Sequence, residues 1–270
     1  MIMINGEQGR TIHVTDRAVM YGDGVFRTMR MHHGQIKCWP QQYQKLQADC
    51  QALEILCPAR HTLEQDLQLF ARDTPHCVVK IIVSRGEGGR GYGVPTSASP
   101  NRVVLSTPLP EYPPQYWHEG VQLHLCEIRL SHQPRLAGIK HLNRLENVLA
   151  RMEWDDANVP EGLLLDAEAW VVEGTMSNIF MRVGQKLLTP DLSLCGVTGL
   201  QRDRILKYAP MLGLSVEISR FNFPSLLQAE EIFVSNSLIG IWPVRQIAAM
   251  AIPLGPIAVK LQHILESEID

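Results

Sequence analysis

Hydrophobic positions along this chain follow two different spacings. After Trp39-Pro40, the residues Tyr43, Leu46, Cys50, Leu53 and Leu56 recur every three or four positions, which predicts a helix with one apolar face. Residues 63–72 predict a second helix. The run Cys-Val-Val-Lys-Ile-Ile-Val-Ser at Cys77–Ser84 is β-branched instead and predicts a buried strand. Shorter runs predict strands at residues 1–4, 11–14, 25–31, 36–39 and 102–106.

Pro108-Leu109-Pro110-Glu111-Tyr112-Pro113-Pro114 interrupts the pattern. Four prolines in seven residues favour an extended, semi-rigid connector. Beyond it, strands are predicted at Val121–Leu130 and at residues 162–166, 170–173, 178–182, 214–219, 231–235 and 239–244. Helices are predicted at residues 141–154, 199–212 and 258–268. Strands and helices mix without strict alternation, so the expected class is α+β. We expect a small α+β domain over residues 1–110, a proline-rich linker over 111–119 and a larger, β-rich, α/β barrel-like domain over 120–270.

Composition narrows the function. The 270 residues are 45% hydrophobic and 20% charged with a net charge of −3, an ordinary globular balance. No Lys/Arg run could follow a phosphate backbone, which argues against nucleic acid as a partner. No stretch approaches the roughly 20 apolar residues of a membrane span. The N-terminal Met1-Ile2-Met3-Ile4-Asn5-Gly6 lacks the basic and apolar regions of a signal peptide, so a cytoplasmic setting is expected. Cys38, Cys50, Cys57, Cys77, Cys126 and Cys195 are scattered without a CxxC pair, which points to free thiols. The ten histidines are dispersed and no metal constellation is expected.

Gly86-Glu87-Gly88-Gly89-Arg90-Gly91 has the spacing of a dinucleotide-binding loop. That fingerprint needs a helix to begin at its glycines, and Tyr92-Gly93-Val94-Pro95 cannot start one. A mobile loop covering a site is the expected role. Arg85, Arg90 and Tyr92 could then meet a substrate carboxylate, because guanidinium groups bind carboxylates through paired hydrogen bonds.

Lys140 sits in Ala137-Gly138-Ile139-Lys140-His141-Leu142-Asn143-Arg144-Leu145. A lysine among apolar residues can lower its pKa and react as an amine with a carbonyl. Glu173 ends a predicted strand before Gly174, where an acid is costly to bury without a cationic partner. Together with Tyr21-Gly22-Asp23-Gly24-Val25-Phe26, Glu173-Gly174-Thr175-Met176-Ser177-Asn178-Ile179-Phe180, Gly199-Leu200-Gln201-Arg202 and Ser235-Asn236-Ser237, these segments resemble the fold-type IV pyridoxal-phosphate enzymes. The resemblance runs from Asn5-Gly6 to Pro243-Val244.

That resemblance implies the cofactor pyridoxal 5′-phosphate and a role for each matching residue. Lys140 would hold the aldehyde as a Schiff base and move protons. Glu173 would pair with the pyridine nitrogen, within the Glu-Gly-x-x-x-Asn motif that Asn178 completes. The backbone of Leu200 and Gln201 at a helix start, and the hydroxyl of Ser237, would take the phosphate. Lys45 stands where the family carries an arginine, which keeps the charge and loses the bidentate fork. Arg144 falls near the family's tyrosine, and either contacts the cofactor's phenolic oxygen or binds substrate. Thr28 could relay a proton, and Arg27 is a further candidate for a substrate carboxylate. A homodimer is implied, with the small domain of one subunit reaching the other's site.

Within the family, Lys140-His141-Leu142-Asn143-Arg144-Leu145-Glu146 and the Arg85–Tyr92 glycine loop are most similar to the bacterial aminodeoxychorismate lyases. These eliminate pyruvate to form 4-aminobenzoate for folate biosynthesis. The alternatives are a D-amino-acid or branched-chain aminotransferase on the same scaffold, and a non-catalytic protein that only binds the cofactor.

Overall fold

The computed structural model describes residues 1–96 and 98–267, so Ser97 of the glycine loop and Glu268 of the expected last helix lie outside it. The chain forms two compact units. The first comprises Met1–Glu111 together with five residues from much later in the sequence, Ile139–Asn143.

The first unit is built on six antiparallel strands: β1 (Ile2–Ile4), β2 (Glu7–Gln8), β3 (Gly24–His32), β4 (Gln35–Ile36), β5 (Cys77–Ser84) and β6 (Asn101–Thr107). Their order is β2-β1-β6-β5-β3-β4. Short helix α1 (Arg17–Tyr21) precedes β3, and α2 (Trp39–Ala52) and α3 (Arg60–Asp73) join β4 to β5. Alternation sorts the residues of the two central strands. Val25, Met29 and Met31 of β3, with Val79, Ile81 and Val83 of β5, enter a core shared with Leu46 of α2 and Phe70 of α3. Phe26, Thr28 and Lys80 alternate with those core residues.

A contiguous division at the proline-rich stretch leaves out Ile139–Asn143. Backbone pairing explains their membership: Val25 and His141 form an antiparallel bridge, Phe26 N–H donates to the Lys140 carbonyl at 3.0 Å, and Leu142 N–H donates to the Gly24 carbonyl at 2.9 Å. For the same reason the helix expected over 141–154 begins only at Leu145. Two predicted strands are corrected. Residues 11–14 form none, since they are largely exposed and Val14 packs on nothing that would bury it. The strand over 36–39 stops at Ile36, because Cys38 turns to a left-handed φ of 58° and α2 starts at Trp39.

The second unit carries a mixed sheet of nine strands: β7 (Val121–Leu130), β8 (Glu161–Asp166), β9 (Val171–Gly174), β10 (Asn178–Val183), β11 (Lys186–Pro190), β12 (Ser215–Ser219), β13 (Glu231–Asn236), β14 (Gly240–Ile247) and β15 (Met250–Ala251). Eight run in the order β12-β11-β10-β13-β14-β7-β8-β9, with β15 paired to β14. The curled sheet makes a half-barrel rather than a closed one. Helices α4 (Gln115–His118), α5 (Leu145–Arg151), α6 (Leu200–Tyr208), α7 (Phe223–Leu226) and α8 (Ile257–Ser267) accompany it. Phe180, Phe233 and Ile241 meet Ile205 of α6 and Leu261 of α8 in one core. Burying side chains of this size contributes about 2 kcal/mol each. Among the described residues no helix is long and apolar enough to cross a membrane.

Candidate active site

In the first unit, Lys140 is held from both sides. Its carbonyl accepts from Phe26, and its N–H donates to Asp49 Oδ2 at 3.4 Å. Its Nζ lies 4.5 Å from the centre of the Phe26 ring. Ring and backbone thus fix where this amine sits, which a reactive lysine requires.

Asp49 is buried at the end of α2 and pairs with Arg27, whose Nη2 also donates to the Lys45 carbonyl. Burial pushes the Asp49 carboxyl up, while the Arg27 charge opposes the rise. Arg27 alternates with Thr28, is 3% exposed and belongs to the Asp49 ion pair. Arg85 is held by the fold in a similar way. Its Nε donates to Asp23 at 2.7 Å, and its two Nη atoms donate to the carbonyls of Glu54 and Leu53 at 2.8 and 2.7 Å. Three of its five guanidinium N–H groups are thus committed to the protein.

Arg90 and Tyr92 are exposed on the glycine loop. The sequence reading missed what anchors that loop. Arg17 is buried, donates Nε to Asp23 at 2.8 Å, and reaches the carbonyls of Gly91, Tyr92 and Gly93 with its other nitrogens. Among the described residues the next element after the glycines is strand β6.

Lys80 was also missed. It pairs across the strands with Thr28, and its Nζ lies 4.6 Å from the centre of the same Phe26 ring. Burial holds its ammonium below the usual lysine range. The signal was present in the sequence as a lysine at an interior position of an otherwise apolar strand.

In the second unit, Glu173 of β9 is 4% exposed, and its Oε2 accepts from Val197 N–H at 2.8 Å. The turn after it is organised by Glu161, another residue the sequence reading missed. This fully buried carboxylate accepts from the N–H groups of Gly162, Thr175 and Met176 and the hydroxyls of Thr175 and Ser177.

Asn178 spends its amide on the backbone. Nδ2 donates to the Val197 carbonyl at 2.7 Å and Oδ1 accepts from Gly199 N–H at 3.1 Å. It positions residues 197–199 rather than offering its side chain to a ligand. Gly199 is required there, since a Cβ would fall 2.4 Å from Asn178 Oδ1. Helix α6 starts immediately after, with no side-chain cap at Gly199. The N–H groups of Leu200 and Gln201 thus begin a helix suited to an anion. The Gln201 side chain is engaged elsewhere, accepting from Arg204 at 2.9 Å.

Ser237 is half-buried in the turn after β13, and Arg144 is half-buried at the N-cap of α5. Ser235 stands directly across from Asn178 in the β10–β13 register, so their side chains share a face. Its hydroxyl is buried without a hydrogen-bond partner. An unpartnered buried hydroxyl beside an uncapped helix start fits a phosphate group, as does the backbone donor set.

Against the expectation of no metal cluster, the fold brings ligand atoms of His132, Asp166 and Cys195 within 4.8 Å of one another. The carboxylate is already committed: one oxygen accepts from the N–H groups of Glu168 and Trp170, the other from His132 at 2.9 Å. The group therefore forms a hydrogen-bonded pair beside a thiol.

Comparisons with known proteins bear on the family and the fold. The family model described as amino-transferase class IV matches residues 24–247. An aminodeoxychorismate lyase of Vibrio harveyi is 35% identical over 97% of this chain and 98% of its own length. The crystal structure of 4-amino-4-deoxychorismate lyase from Pseudomonas aeruginosa superposes with a TM-score of 0.95 at 40% identity, covering 100% of both chains. The branched-chain amino acid aminotransferase of Escherichia coli shares the fold, with a TM-score of 0.84 at 23% identity over 97% of this chain and 92% of the other. The chain belongs to the class IV aminotransferase family.

Proposed function

We propose that this chain is a pyridoxal-phosphate-dependent lyase that removes pyruvate from 4-amino-4-deoxychorismate and leaves 4-aminobenzoate. The observation that carries the lyase over an aminotransferase is its likeness to two lyases at 35% and 40% identity across nearly the whole chain. The likeness to the branched-chain aminotransferase of Escherichia coli stands at 23%.

The residues suit the cofactor. Lys140 Nζ would take the aldehyde. Glu173, buried and fixed by Val197, would hold a proton on the pyridine nitrogen. The N–H groups of Leu200 and Gln201 would take the phosphate, with the hydroxyls of Ser235 and Ser237 and the charge of Lys45 as further partners. Pyridoxal 5′-phosphate, when bound, supplies an electron sink for the carbanion left by proton removal.

The chain's own part is acid–base work and positioning. With the cofactor bound, Lys140 Nζ would act as the base that takes the proton from the substrate's C4. The adjacent C3–O bond would then break, the ring become aromatic, and the enolate of pyruvate leave and take up a proton to become pyruvate. Phe26 keeps Nζ from wandering during this exchange. Lys80, Arg90 and Arg144 are the cations proposed for the substrate's two carboxylates. Tyr92 shares the glycine loop with Arg90, and the hydroxyl of Thr28, which stands opposite Lys80 in the strand register, would pass a proton. Arg17 sets the loop's position.

A homodimer in the cytosol completes the reading. Leu145, Val148, Leu149 and Met152 recur at three- and four-residue spacing along α5 and its end, and all are exposed. Such a stripe on a short helix suits a second copy of the chain.

The test supplies the cofactor-loaded protein with 4-amino-4-deoxychorismate and, separately, with D- and L-amino acids plus 2-oxoglutarate. Formation of 4-aminobenzoate and pyruvate supports the lyase. Glutamate formation without 4-aminobenzoate moves the protein to the aminotransferases.

A further inference from the structure

Three segments distant in sequence meet in the second unit, and each brings a side chain able to ligate a metal. Leu130, the last residue of β7, pairs with Asp166, the last residue of the parallel strand β8. His132 follows β7 closely. Its neighbour Gln133 donates its N–H to the Leu194 carbonyl at 2.8 Å, which draws the loop carrying Cys195 alongside. Ligand atoms of His132, Asp166 and Cys195 consequently lie within 4.8 Å of one another.

The backbone orients the carboxylate. Asp166 is 4% exposed, and its Oδ1 accepts from the N–H groups of Glu168 and Trp170, both at 2.9 Å. Its Oδ2 is thereby aimed at His132 Nε2, also 2.9 Å away. What joins these two atoms is a proton, which a cation can replace. Neighbouring ligand atoms around a tetrahedral zinc stand roughly 3.2–3.7 Å apart, given bond lengths of about 2.0–2.3 Å. The His132–Asp166 pair already has nearly that spacing. The Cys195 sulfur has at most about 1 Å to travel.

The other face of the imidazole fits as well. His132 Nδ1 lies 4.0 Å from Glu168 Oε1. A metal-bound histidine turns its second nitrogen, protonated, toward a carboxylate, and Glu168 stands on that side. The donor types select the metal. Thiolate and imidazole suit zinc, whereas calcium and magnesium take oxygen ligands. His132 and Cys195 are half-buried, so a cation can enter from solvent, and three protein ligands leave a fourth position for water.

We propose that His132 Nε2, Asp166 Oδ2 and Cys195 Sγ form a binding site for a zinc-class divalent cation. Three bonds form to the metal. The Cys195 thiol releases its proton to solvent. The proton on His132 Nε2 passes through water to Nδ1 on the Glu168 side, and no electron is transferred. The cation would tie the ends of β7 and β8 to the loop that contains Cys195. Val197, in the same loop, holds Glu173 through its N–H, so the cation would stiffen the backbone that fixes this acid.

The experiment strips the full-length, cofactor-loaded protein of metal with a chelator, removes the chelator by dialysis and titrates with zinc chloride. The expected result is one zinc bound per chain, about one proton released per zinc at neutral pH, and Cys195 shielded from iodoacetamide. Cobalt(II) in place of zinc should give the visible bands of a tetrahedral thiolate site, to the red of the cofactor's absorbance. Cys195→Ser and His132→Gln should each weaken zinc at least about tenfold, and Cys195→Ser should lose the cobalt bands. A competing place for zinc exists where the exposed rings of His32, His33 and His76 gather near the β3–β4 turn, with imidazole donors alone. Zinc held with unchanged affinity by Cys195→Ser would overturn the proposal. So would a parent protein that binds no zinc, or an octahedral cobalt spectrum, and neither result depends on how a variant folds.

Discussion

Lys140 and Phe26 are joined twice, once by the 3.0 Å bond from Phe26 N–H to the Lys140 carbonyl and once by the ring 4.5 Å from Nζ. A mobile lysine would spend most of its time out of reach of an aldehyde, so this double anchor suits the Schiff-base role proposed for Lys140. Borohydride reduction of the cofactor-loaded protein should therefore tag Lys140 alone. Lys140→Ala should lose the cofactor's yellow absorbance and nearly all turnover. A tag recovered on Lys80 or Lys45 would refute the assignment.

Glu173→Gln should fold, because Gln keeps an oxygen for the Val197 N–H. It should lose the charge that keeps the pyridine nitrogen protonated. The expected loss in kcat is about a hundredfold, roughly 3 kcal/mol. A rate within a few fold of the parent would make the acid structural.

Lys80 separates function from stability. Its ammonium is disfavoured by burial, so Lys80→Met should leave the melting temperature equal or higher. If Lys80 receives a substrate carboxylate, the same change should raise KM by about tenfold, the loss of one charge-assisted hydrogen bond. A KM that does not move removes Lys80 from the substrate site.

Asp23 carries a pH signature. Burial acts to raise its pKa, but the hydrogen bonds and charges of Arg85 and Arg17 outweigh burial and hold it below the ordinary 3.8. A carboxyl depressed on folding contributes stability that is present above the unfolded value and lost as pH falls through the folded one. Asp23→Asn should thus cost about 3–5 kcal/mol at neutral pH, since it strands two buried guanidinium groups. The melting curves of variant and parent should converge below about pH 4. A gap of constant size across that range would contradict the role given to Asp23.

Long apolar runs made some elements legible to the residue: β5 at Cys77–Ser84 and β7 at Val121–Leu130 were read with their observed ends. Strand β11, Lys-Leu-Leu-Thr-Pro, was not read, because five residues ending in proline carry little periodicity and the strand is fixed by its neighbours β10 and β12. The candidate site shows the same divide. Lys140 and Glu173 lie in local motifs that the chain displays in order. Arg17, Lys80, Glu161 and Ser235 are set by neighbours far away in sequence, and a sequence does not show that Asp49 pairs with Arg27 or Asp23 with Arg85. Only tertiary pairing distinguishes a guanidinium open to a ligand from one committed to the fold.

The strip Ile139–Asn143 has a consequence for how this molecule can be altered. A gene fragment ending at the prolines would encode the whole six-stranded sheet and omit the strip that completes it, and with it the amine. Recombination at that junction would exchange a scaffold without its reagent, so neither half can be traded as a cassette. Any chimera must carry the second crossover around Gly138 and Arg144, and lineages that shuffle this region must inherit the two pieces together.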